Sequence, residues 1–437
     1  MKNVTELDTE QKIIYNSLGF YAQQEYIVMN TSEPCTVFEK IISPLLPLLK
    51  KEAAAIKNDS NIYKLSLFFF SINLLYGIVK KIKSIRLLIT EIKTTSEQPG
   101  FDLVQASSSM YSEAFSRYDP AIFKRIFYQL IEKLNFMEIA ELNSLGRFLC
   151  VDGSIFPAFQ TMEWAHYKKT ANALKIHLAF ELNRMLPVSF ITTDANASEK
   201  KALLMMLETG VTYIADRGYM SFSLFDQINS KSAFFVIRVK KRLVYTLCEE
   251  LSFEIPLQWE PYLSRVTDYK ITCDNDKKSQ LYRLITFVVN DETYFIMTNR
   301  FDLKTHEIIM LYAYRWQVEL FFRCIKRTFG SLHLWSHESK GVEIHFYIYL
   351  IAYVLLLHFK QTCEAQKEEL NFYENNLENS DKPKAKQHEQ SRTPLECGMV
   401  TLLNNELKNY WKLGIHWLTA VKNLVCNLFT KDVVFLL

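Results

Sequence analysis

Glycine and proline are scarce in this sequence, whose 437 residues contain 11 of each. Collagen-like helices and flexible Gly-rich linkers need far more of both residue types, so these architectures are excluded. The eight cysteines form no C-x-x-C pair, which excludes a zinc-knuckle motif and is typical of reduced thiols. No Gly-rich phosphate loop occurs either. We therefore predict that the protein uses no nucleotide cofactor.

Neither sign of charge is in excess, because 51 Lys and Arg residues are balanced by 48 Asp and Glu residues. The net charge of +3 does not by itself indicate a nucleic-acid partner, so a DNA-binding surface must come from local clusters. The apolar runs at residues 65–79 and 346–359 are shorter than the roughly 20 residues of a membrane span. Acidic residues at Glu6, Asp8 and Glu10 argue against a secretory signal. We expect a cytoplasmic protein with no membrane partner.

Hydrophobic residues make up 49% of the chain, which predicts packed domains. Residues 1–145 carry apolar residues at spacings of three and four, so we predict a helical N-terminal region. Strands then alternate with helices, and residues 146–360 are predicted to form an α/β core with a mixed sheet. The first strand of this core is predicted to end near Asp152. Residues 241–300 are rich in β-like segments and predict an insertion within the core.

Helices are predicted to follow the β insertion. A long helix covers about residues 304–329, and a second, buried helix covers 344–359. Residues 361–393 are strongly charged and polar, which predicts a mobile insert. Helical spacing returns in residues 394–437 and predicts a helical C-terminal region.

Four polar residues share one face of the predicted long helix. At 100° per residue, Tyr312, Arg315, Glu319 and Lys326 fall within an arc of about 60°. Arg and Lys on such a stripe can neutralise phosphate charge beside an acid. The alternative is a helix-stabilising ion pair between Arg315 and Glu319, which are four residues apart.

Two aspartates follow apolar stretches, Asp152 in FLCVDGS and Asp216 in YIADRGY. A carboxylate at the exit of a buried strand is costly unless it is hydrogen-bonded, paired or bound to a metal ion. A turn-forming Asp before Gly is the alternative, above all for Asp152. Together with Glu319, these acids suit two Mg²⁺ ions about 4 Å apart, for which Mn²⁺ can substitute. The pattern predicts phosphoryl-transfer chemistry.

The order and spacing of these residues resemble the DDE-class insertion-sequence transposases, in particular the branch with a Tyr-Arg-Glu-Lys signature and a β insertion before the final acid. The matching motifs are DGS at Asp152–Ser154, ADRGY at Ala215–Tyr219 and YRWQVELFFRCIK at Tyr314–Lys326. The resemblance covers about residues 147–359. It implies a ribonuclease-H-like mixed sheet with a β-rich insertion, flanked by helical N-terminal and C-terminal regions.

The resemblance also implies roles for the site residues. It makes the three acids the catalytic metal ligands, with the two aspartates on adjacent strands and Glu319 on the helix after the insertion. The residues at Tyr312, Arg315 and Lys326 match those that hold transposon-end phosphates in that family. The N-terminal region would recognise the terminal inverted repeats, and the C-terminal region would help to pair two subunits.

Three further residues are predicted DNA contacts. Arg217, beside Asp216, and Arg238, in a predicted strand, are placed to face DNA, although an ion pair explains each equally well. Trp259 lies in the β insertion, where members of the resembled family use an aromatic ring to stack on a flipped base. A Trp packed within a sheet is the alternative for this residue.

The resemblance implies a DNA transposase that cleaves and joins strands at the terminal inverted repeats of its own element. Its partners would be double-stranded DNA at the transposon ends, target DNA and a second copy of the chain in a homodimer. One alternative is an end-binding repressor that has lost catalysis, which the intact acids argue against. The other is a structure-selective nuclease on the same fold, and the Tyr312–Lys326 signature favours the transposase over it.

Overall fold

The sheet and most of the helices predicted above are visible in a computed structural model of the chain. It describes residues 37–56, 65–95, 103–136, 138–168, 171–259, 263–289, 291–328 and 334–378. The predicted helical region at 394–437 and residues 379–393 of the predicted insert lie outside these ranges.

Helices fill the described residues ahead of the sheet. They are α1 (Val37–Ile42), α2 (Leu46–Ala54), α3 (Leu67–Val79), α4 (Ile85–Thr95), α5 (Ser108–Arg117), α6 (Pro120–Lys133) and α7 (Ala140–Asn143). The start of α6 illustrates how the sequence sets a helix boundary. Asp119 accepts a hydrogen bond from the Ala121 backbone N–H at 2.9 Å, and Pro120 occupies the first turn, where its missing N–H has no cost.

The described residues divide into two compact units. One consists of those within Met1–Leu134 and His333–Leu355, and the other of those within Asn135–Leu332 and Leu356–Leu437. In the first unit, Phe70 of α3 packs edge-on against Phe115 with ring centroids 5.0 Å apart. Residues 333–355, which the sequence assigns to the core region 146–360, group with this helical unit instead.

The last described helix, α12 (Ser339–Glu378), is longer than the predicted buried helix at 344–359. Residues 361–378, which belong to the predicted mobile insert, continue the helix. Polar composition marks an exposed segment, but it does not by itself prevent a helix from continuing. Within the described residues, Ser339–Thr362 is long and apolar enough to cross a membrane, and 83% of its most apolar window is buried inside the protein. A core helix meets the same criterion.

Ten strands of the described residues form one mixed sheet. They are β1 (Arg147–Pro157), β2 (His166–Lys168), β3 (Ala171–Glu181), β4 (Leu186–Asp194), β5 (Val211–Ala215), β6 (Phe234–Arg238), β7 (Tyr245–Glu250), β8 (Ser264–Cys273), β9 (Tyr282–Val289) and β10 (Glu292–Thr298). Their order is β2-β3-β1-β5-β6-β10-β9-β8-β7, and β4 pairs with β3. Strands β1, β5 and β6 are parallel, whereas β3 and β10 run antiparallel to their neighbours. This architecture and the helical N-terminal region confirm the predicted α/β fold class.

Strand β1 has two faces with different neighbours. Leu149 and Val151 share a core with Leu203 of α8 (Glu199–Met205) and with residues of α9 (Phe222–Ser230). The alternate residues face the other side of the sheet, where Phe156 packs against Phe322 with centroids 6.3 Å apart. The strand continues to Pro157, so the prediction that it ends near Asp152 is wrong. A short apolar run does not mark the end of a strand whose outer half is partly exposed.

The β insertion extends the core sheet. Strands β7, β8 and β9 form an antiparallel meander, and β10 returns to pair with β6. Beneath the meander, the fully buried Asp268 carboxylate accepts hydrogen bonds from Arg283 Nη2 and Thr305 Oγ1, both at 2.6 Å. Thr305 is the first residue of the next helix, so this network joins the insertion to that helix.

The predicted long helix at 304–329 is two helices, α10 (Thr305–Tyr314) and α11 (Trp316–Thr328). They are separated by Arg315, where the Val318 N–H bonds to the Arg315 carbonyl in a tighter i to i+3 turn. The Tyr314 carbonyl accepts from the Cys150 thiol of β1, with a sulfur-oxygen distance of 3.7 Å. The break therefore lies against the strand that carries Asp152, and sequence periodicity gives no sign of it.

Candidate active site

Asp152 lies within β1 on the face that packs against α11. Its Oδ1 accepts a hydrogen bond from the Gly153 backbone N–H at 2.8 Å. Burial raises the pKa of Asp152 to about 6, and the negative charges of Glu319 and Glu199 act in the same direction, whereas Arg315 opposes them. The ionised form of Asp152 is thus destabilised, and a cation bound beside it would relieve that cost.

Asp216 comes directly after β5 and precedes a single 3-10 turn at Arg217–Tyr219. The parallel register of β1 and β5 pairs Cys150 with Ile214. Asp152 and Asp216 each come two residues beyond this pair, so the two acids occupy the same level on adjacent strands. Neighbouring strands lie about 4.8 Å apart, which brings the two backbones together at one edge of the core.

Glu319 lies in the first turn of α11 and pairs with the residue at the helix break. Its Oε1 is 2.7 Å from Arg315 Nη2, and both side chains are mostly buried. The helix ion pair that the sequence left as an alternative is therefore present. Burial alone would lower the pKa of Arg315, but Tyr312, Glu319 and Asp216 raise it above its ordinary value. Arg315 is thus a permanent positive charge among the acids.

The side chains as placed do not yet form a metal centre. Within the described residues, no three Asp, Glu, His or Cys side chains are grouped closely enough to hold a metal ion. The donor types do suit a hard divalent cation, since carboxylate oxygens are the ligands that Mg²⁺ prefers. The convergence of Asp152, Asp216 and Glu319 on metal ions stays a prediction.

Lys326 lies near Asp152. It belongs to α11, whereas Tyr312 belongs to α10, so the two residues do not share one helix face. Its Nζ is 4.9 Å from the centre of the Phe156 ring, on the same face of β1 as Asp152. Burial lowers the pKa of Lys326, and the charge of Asp152 opposes that shift. The prediction of one stripe on one continuous helix is wrong. The fold nevertheless brings Arg315, Glu319 and Lys326 into the neighbourhood of Asp152.

Tyr312 is buried, which differs from the predicted phosphate contact. Its ring lies 5.9 Å from the Arg315 guanidinium and 6.3 Å from the Tyr294 ring. Tyr312 therefore supports Arg315 from within the core.

The three other predicted DNA contacts have different surroundings. Arg217 is exposed, as a DNA contact requires. Arg238 pairs with Glu292 at 2.5 Å and stacks on the Tyr294 ring at 4.4 Å, so the ion-pair alternative is present there. Trp259 is 3% exposed and packs edge-on against the His306 ring, so the alternative of a packed Trp is present there, and stacking on a base stays a prediction.

Sequence reasoning missed one acid at this site. Glu199 is the first residue of α8, and its Oε1 lies 3.3 Å from Lys175 Nζ. An acid in the first turn of a helix is so common that its position carries no functional signal. The proximity of Glu199 to Asp152 arises only from the fold.

The stability of the metal-free protein should fall as the pH rises through the window from about 4 to 6. Folded Asp152 releases its proton near pH 6, whereas the unfolded chain does so near 3.8, so the folded state holds more protons in between. After allowance for the partial exposure of Asp152, we expect the free energy of unfolding to fall by about 1 to 2 kcal/mol. Urea denaturation across this pH range should show the loss in wild type and not in Asp152→Asn. Identical pH profiles would contradict the assigned environment of Asp152.

Comparison with known proteins identifies the region that carries these residues. Residues 143–355 match the family described as "Transposase DDE domain". The chain is 25% identical over 248 residues to the putative transposase y4zB of Sinorhizobium fredii, covering 56% of this chain and 69% of that protein. It is 24% identical over 258 residues to the probable transposase for insertion sequence element IS5377 of Geobacillus stearothermophilus, covering 57% and 67%. The solved structure of an endonuclease V from Bacillus subtilis matches 52% of this chain and 87% of its own chain, at 11% identity and with a TM-score of 0.21.

Proposed function

We propose that this protein, whose residues 143–355 match the transposase DDE domain family, cleaves and joins DNA strands at the terminal inverted repeats of its own insertion element. The observation that carries the proposal is the placement of Asp152, within β1, and Asp216, directly after the parallel β5, at the same level of the sheet, with Glu319 on the helix that packs against β1. Acids in this order and register can share divalent ions at one edge of the sheet, as phosphoryl transfer requires.

Asp152, Asp216 and Glu319 would hold the divalent ions, two Mg²⁺ or Mn²⁺ in their place. Bound there, such ions supply Lewis-acid polarisation of the phosphate and activation of the attacking oxygen. The ion pair with Arg315 holds the Glu319 carboxylate in one orientation until cations arrive. The raised pKa of Asp152 is consistent with a carboxylate that needs a nearby cation to stay ionised.

Positive side chains around the acids would hold the DNA backbone. Lys326 lies on the Asp152 face, and Arg217 is exposed beside Asp216, so both are placed to reach phosphates near the scissile bond. Arg315 would neutralise phosphate charge from within the site, supported by Tyr312. Phosphate binding by these residues positions the strand without reading its sequence.

The proposed partners are double-stranded DNA at the element ends, target DNA and a second copy of this chain in a homodimer. The helical N-terminal region is proposed to recognise the terminal inverted repeats, and residues 394–437 to assist in pairing the subunits. A DNA-acting enzyme of this class would work in the cytoplasm without a nucleotide cofactor.

The function is tested by incubating the purified protein and Mg²⁺ with cloned DNA that carries the element's ends. We expect double-strand release of the element and joining of its ends to a target. Binding of the ends without cleavage would instead identify an end-binding repressor. Cleavage of branched or flapped DNA without regard to the ends would identify a structure-selective nuclease.

Lys326→Ala should weaken binding to a transposon-end duplex by removing one phosphate contact. We expect the slope of log affinity against log salt to fall by about one unit, because each contact releases about one counterion. Affinities at several salt concentrations give this slope. Lys278→Ala, which removes an exposed cation paired with Asp226, should leave the slope unchanged. An unaltered slope and strand transfer in Lys326→Ala would contradict a role for Lys326 at the DNA backbone.

A further inference from the structure

The Glu199 carboxylate fills the space above two glycines that follow the catalytic aspartates. A Cβ atom placed on Gly153 would lie 3.0 Å from Glu199 Oε1, and one placed on Gly218 would lie 3.5 Å from Oε2. Gly153 comes directly after Asp152, and Gly218 comes two residues after Asp216. One side chain from α8 therefore touches both segments that carry the acids.

Neither glycine is required by backbone conformation, because neither adopts a positive φ angle. What the two positions share is the carboxylate that lies over them. At Gly153 in particular, a Cβ 3.0 Å from Oε1 would be tighter than about nine in ten real Cβ contacts, so an alanine there would push the carboxylate away by a few tenths of an ångström. The absence of a side chain at 153 thus serves the placement of Glu199.

Lys175 of β3 holds Glu199 in this position. Its Nζ is 3.3 Å from both Glu199 Oε1 and the carbonyl oxygen of Ala197, just before α8 begins. Lys175 lies opposite Ile155 in the antiparallel pairing of β3 with β1, two residues beyond Gly153. The side chain of Lys175 is 12% exposed, so its ion pair with Glu199 is less screened than a typical surface pair.

We propose that Glu199, clamped by Lys175, is a positioning residue that fixes the strand carrying Asp152 against the turn that follows Asp216. The inference rests on the proposed function and adds a residue to it. Glu199 acts through the backbone of Gly153 and Gly218. Its effect is on the separation of the two aspartates, and therefore on how well they share a divalent ion. Supporting residues of this kind typically change metal affinity by about 10- to 100-fold.

The test compares Mn²⁺ binding by calorimetry in wild type, Glu199→Ala and Glu199→Gln, with full-length protein. We expect about tenfold weaker Mn²⁺ binding in Glu199→Ala, and a matching rise in the Mn²⁺ concentration that half-saturates end cleavage. Glu199→Gln keeps the volume of the side chain but removes its charge, so its Mn²⁺ affinity should fall less than that of Glu199→Ala. Affinity for an end duplex without metal should be unchanged. Glu208→Gln, a carboxylate paired with Arg147 at the opposite ends of the strands, is the control and should bind Mn²⁺ as wild type does.

A double-mutant cycle separates positioning from simple stabilisation. Gly153→Ala should weaken Mn²⁺ binding on its own, yet have little further effect when combined with Glu199→Ala, because the carboxylate that it displaces is already gone. Additive losses, or a lowered thermal stability of Glu199→Ala with unchanged Mn²⁺ affinity, would overturn the inference. Wild-type protein that binds no Mn²⁺ would overturn the proposed function, and the inference with it. Unchanged binding in Glu199→Ala overturns the inference alone.

Discussion

Asp216→Asn is expected to lower the rate of strand cleavage by about a hundredfold or more, because the proposed function makes Asp216 a ligand of the divalent ions, and losing such a carboxylate removes several kcal/mol of transition-state stabilisation. The amide keeps the shape of the side chain but lacks the charge that a divalent ion needs. Binding to the element's ends should remain close to that of wild type, since positive side chains bind the phosphates. Single-turnover cleavage and end-duplex affinity should be measured on the same preparation.

Asp152→Asn and Glu319→Gln should behave in the same way if the three acids act together. Replacing all three acids should lower the cleavage rate little more than replacing any one of them, because the effects of residues that act as a unit are not additive. Glu208→Gln, whose carboxylate pairs with Arg147, serves as the control for removing an acid from the same unit. Wild-type cleavage by Asp216→Asn would refute the catalytic assignment. Loss of end binding together with cleavage would instead indicate a structural role.

Asp268→Ala is expected to destabilise the unit that holds the sheet by about 3 to 5 kcal/mol, because it leaves the Arg283 charge buried without its partner. The carboxylate also accepts from Thr305, so the start of α10 loses a contact. Urea denaturation should show an earlier transition. The effect should reach the active site, because α10 leads directly to Arg315.

The matched control for Asp268→Ala is Glu249→Ala, which breaks the exposed pair with Lys270 in the same insertion. That change should cost less than about 1 kcal/mol. The double variant Asp268→Ala with Arg283→Met should lose less stability than the two single variants together, because the unpaired charge is removed. Equal costs for the buried and exposed variants would contradict the role assigned to the buried network.

The strands and the order of the acids could be predicted from the sequence because they follow local patterns. The run that leads to Asp216 is fully buried, and a continuous apolar run of that length marks a central strand. Asp152 lies within β1, the parallel neighbour of that strand, but β1 continues beyond the end that the sequence predicts. The continuous burial of residues 148–151 gives way to partial exposure from Asp152 onward, so the apolar run that signals the strand ends while the pairing of β1 with β3 continues.

The remaining differences arise from contacts between segments far apart in the chain. Beside the break at Arg315, the Tyr314 carbonyl accepts from the thiol of Cys150, 164 positions away, and the helical spacing of apolar residues carries no information about such a distant partner. The burial of Trp259 depends on His306, which follows three strands later. Glu199 reaches the two glycines only once α8 has packed on the sheet. Local propensity predicts elements, whereas these details belong to tertiary packing.

Strand β7 ends the sheet, and all six of its residues are exposed. An uncovered edge strand offers unpaired backbone groups to any other chain, which makes it a route to aggregation. Here the pairing with β8 shifts register between Leu247 and Glu249, and Glu249 and Glu250 place negative charge along the edge. A kinked and charged edge repels a second copy of itself. The β insertion thereby lengthens the sheet while the irregular register of its edge strand disfavours continuous pairing with a second copy.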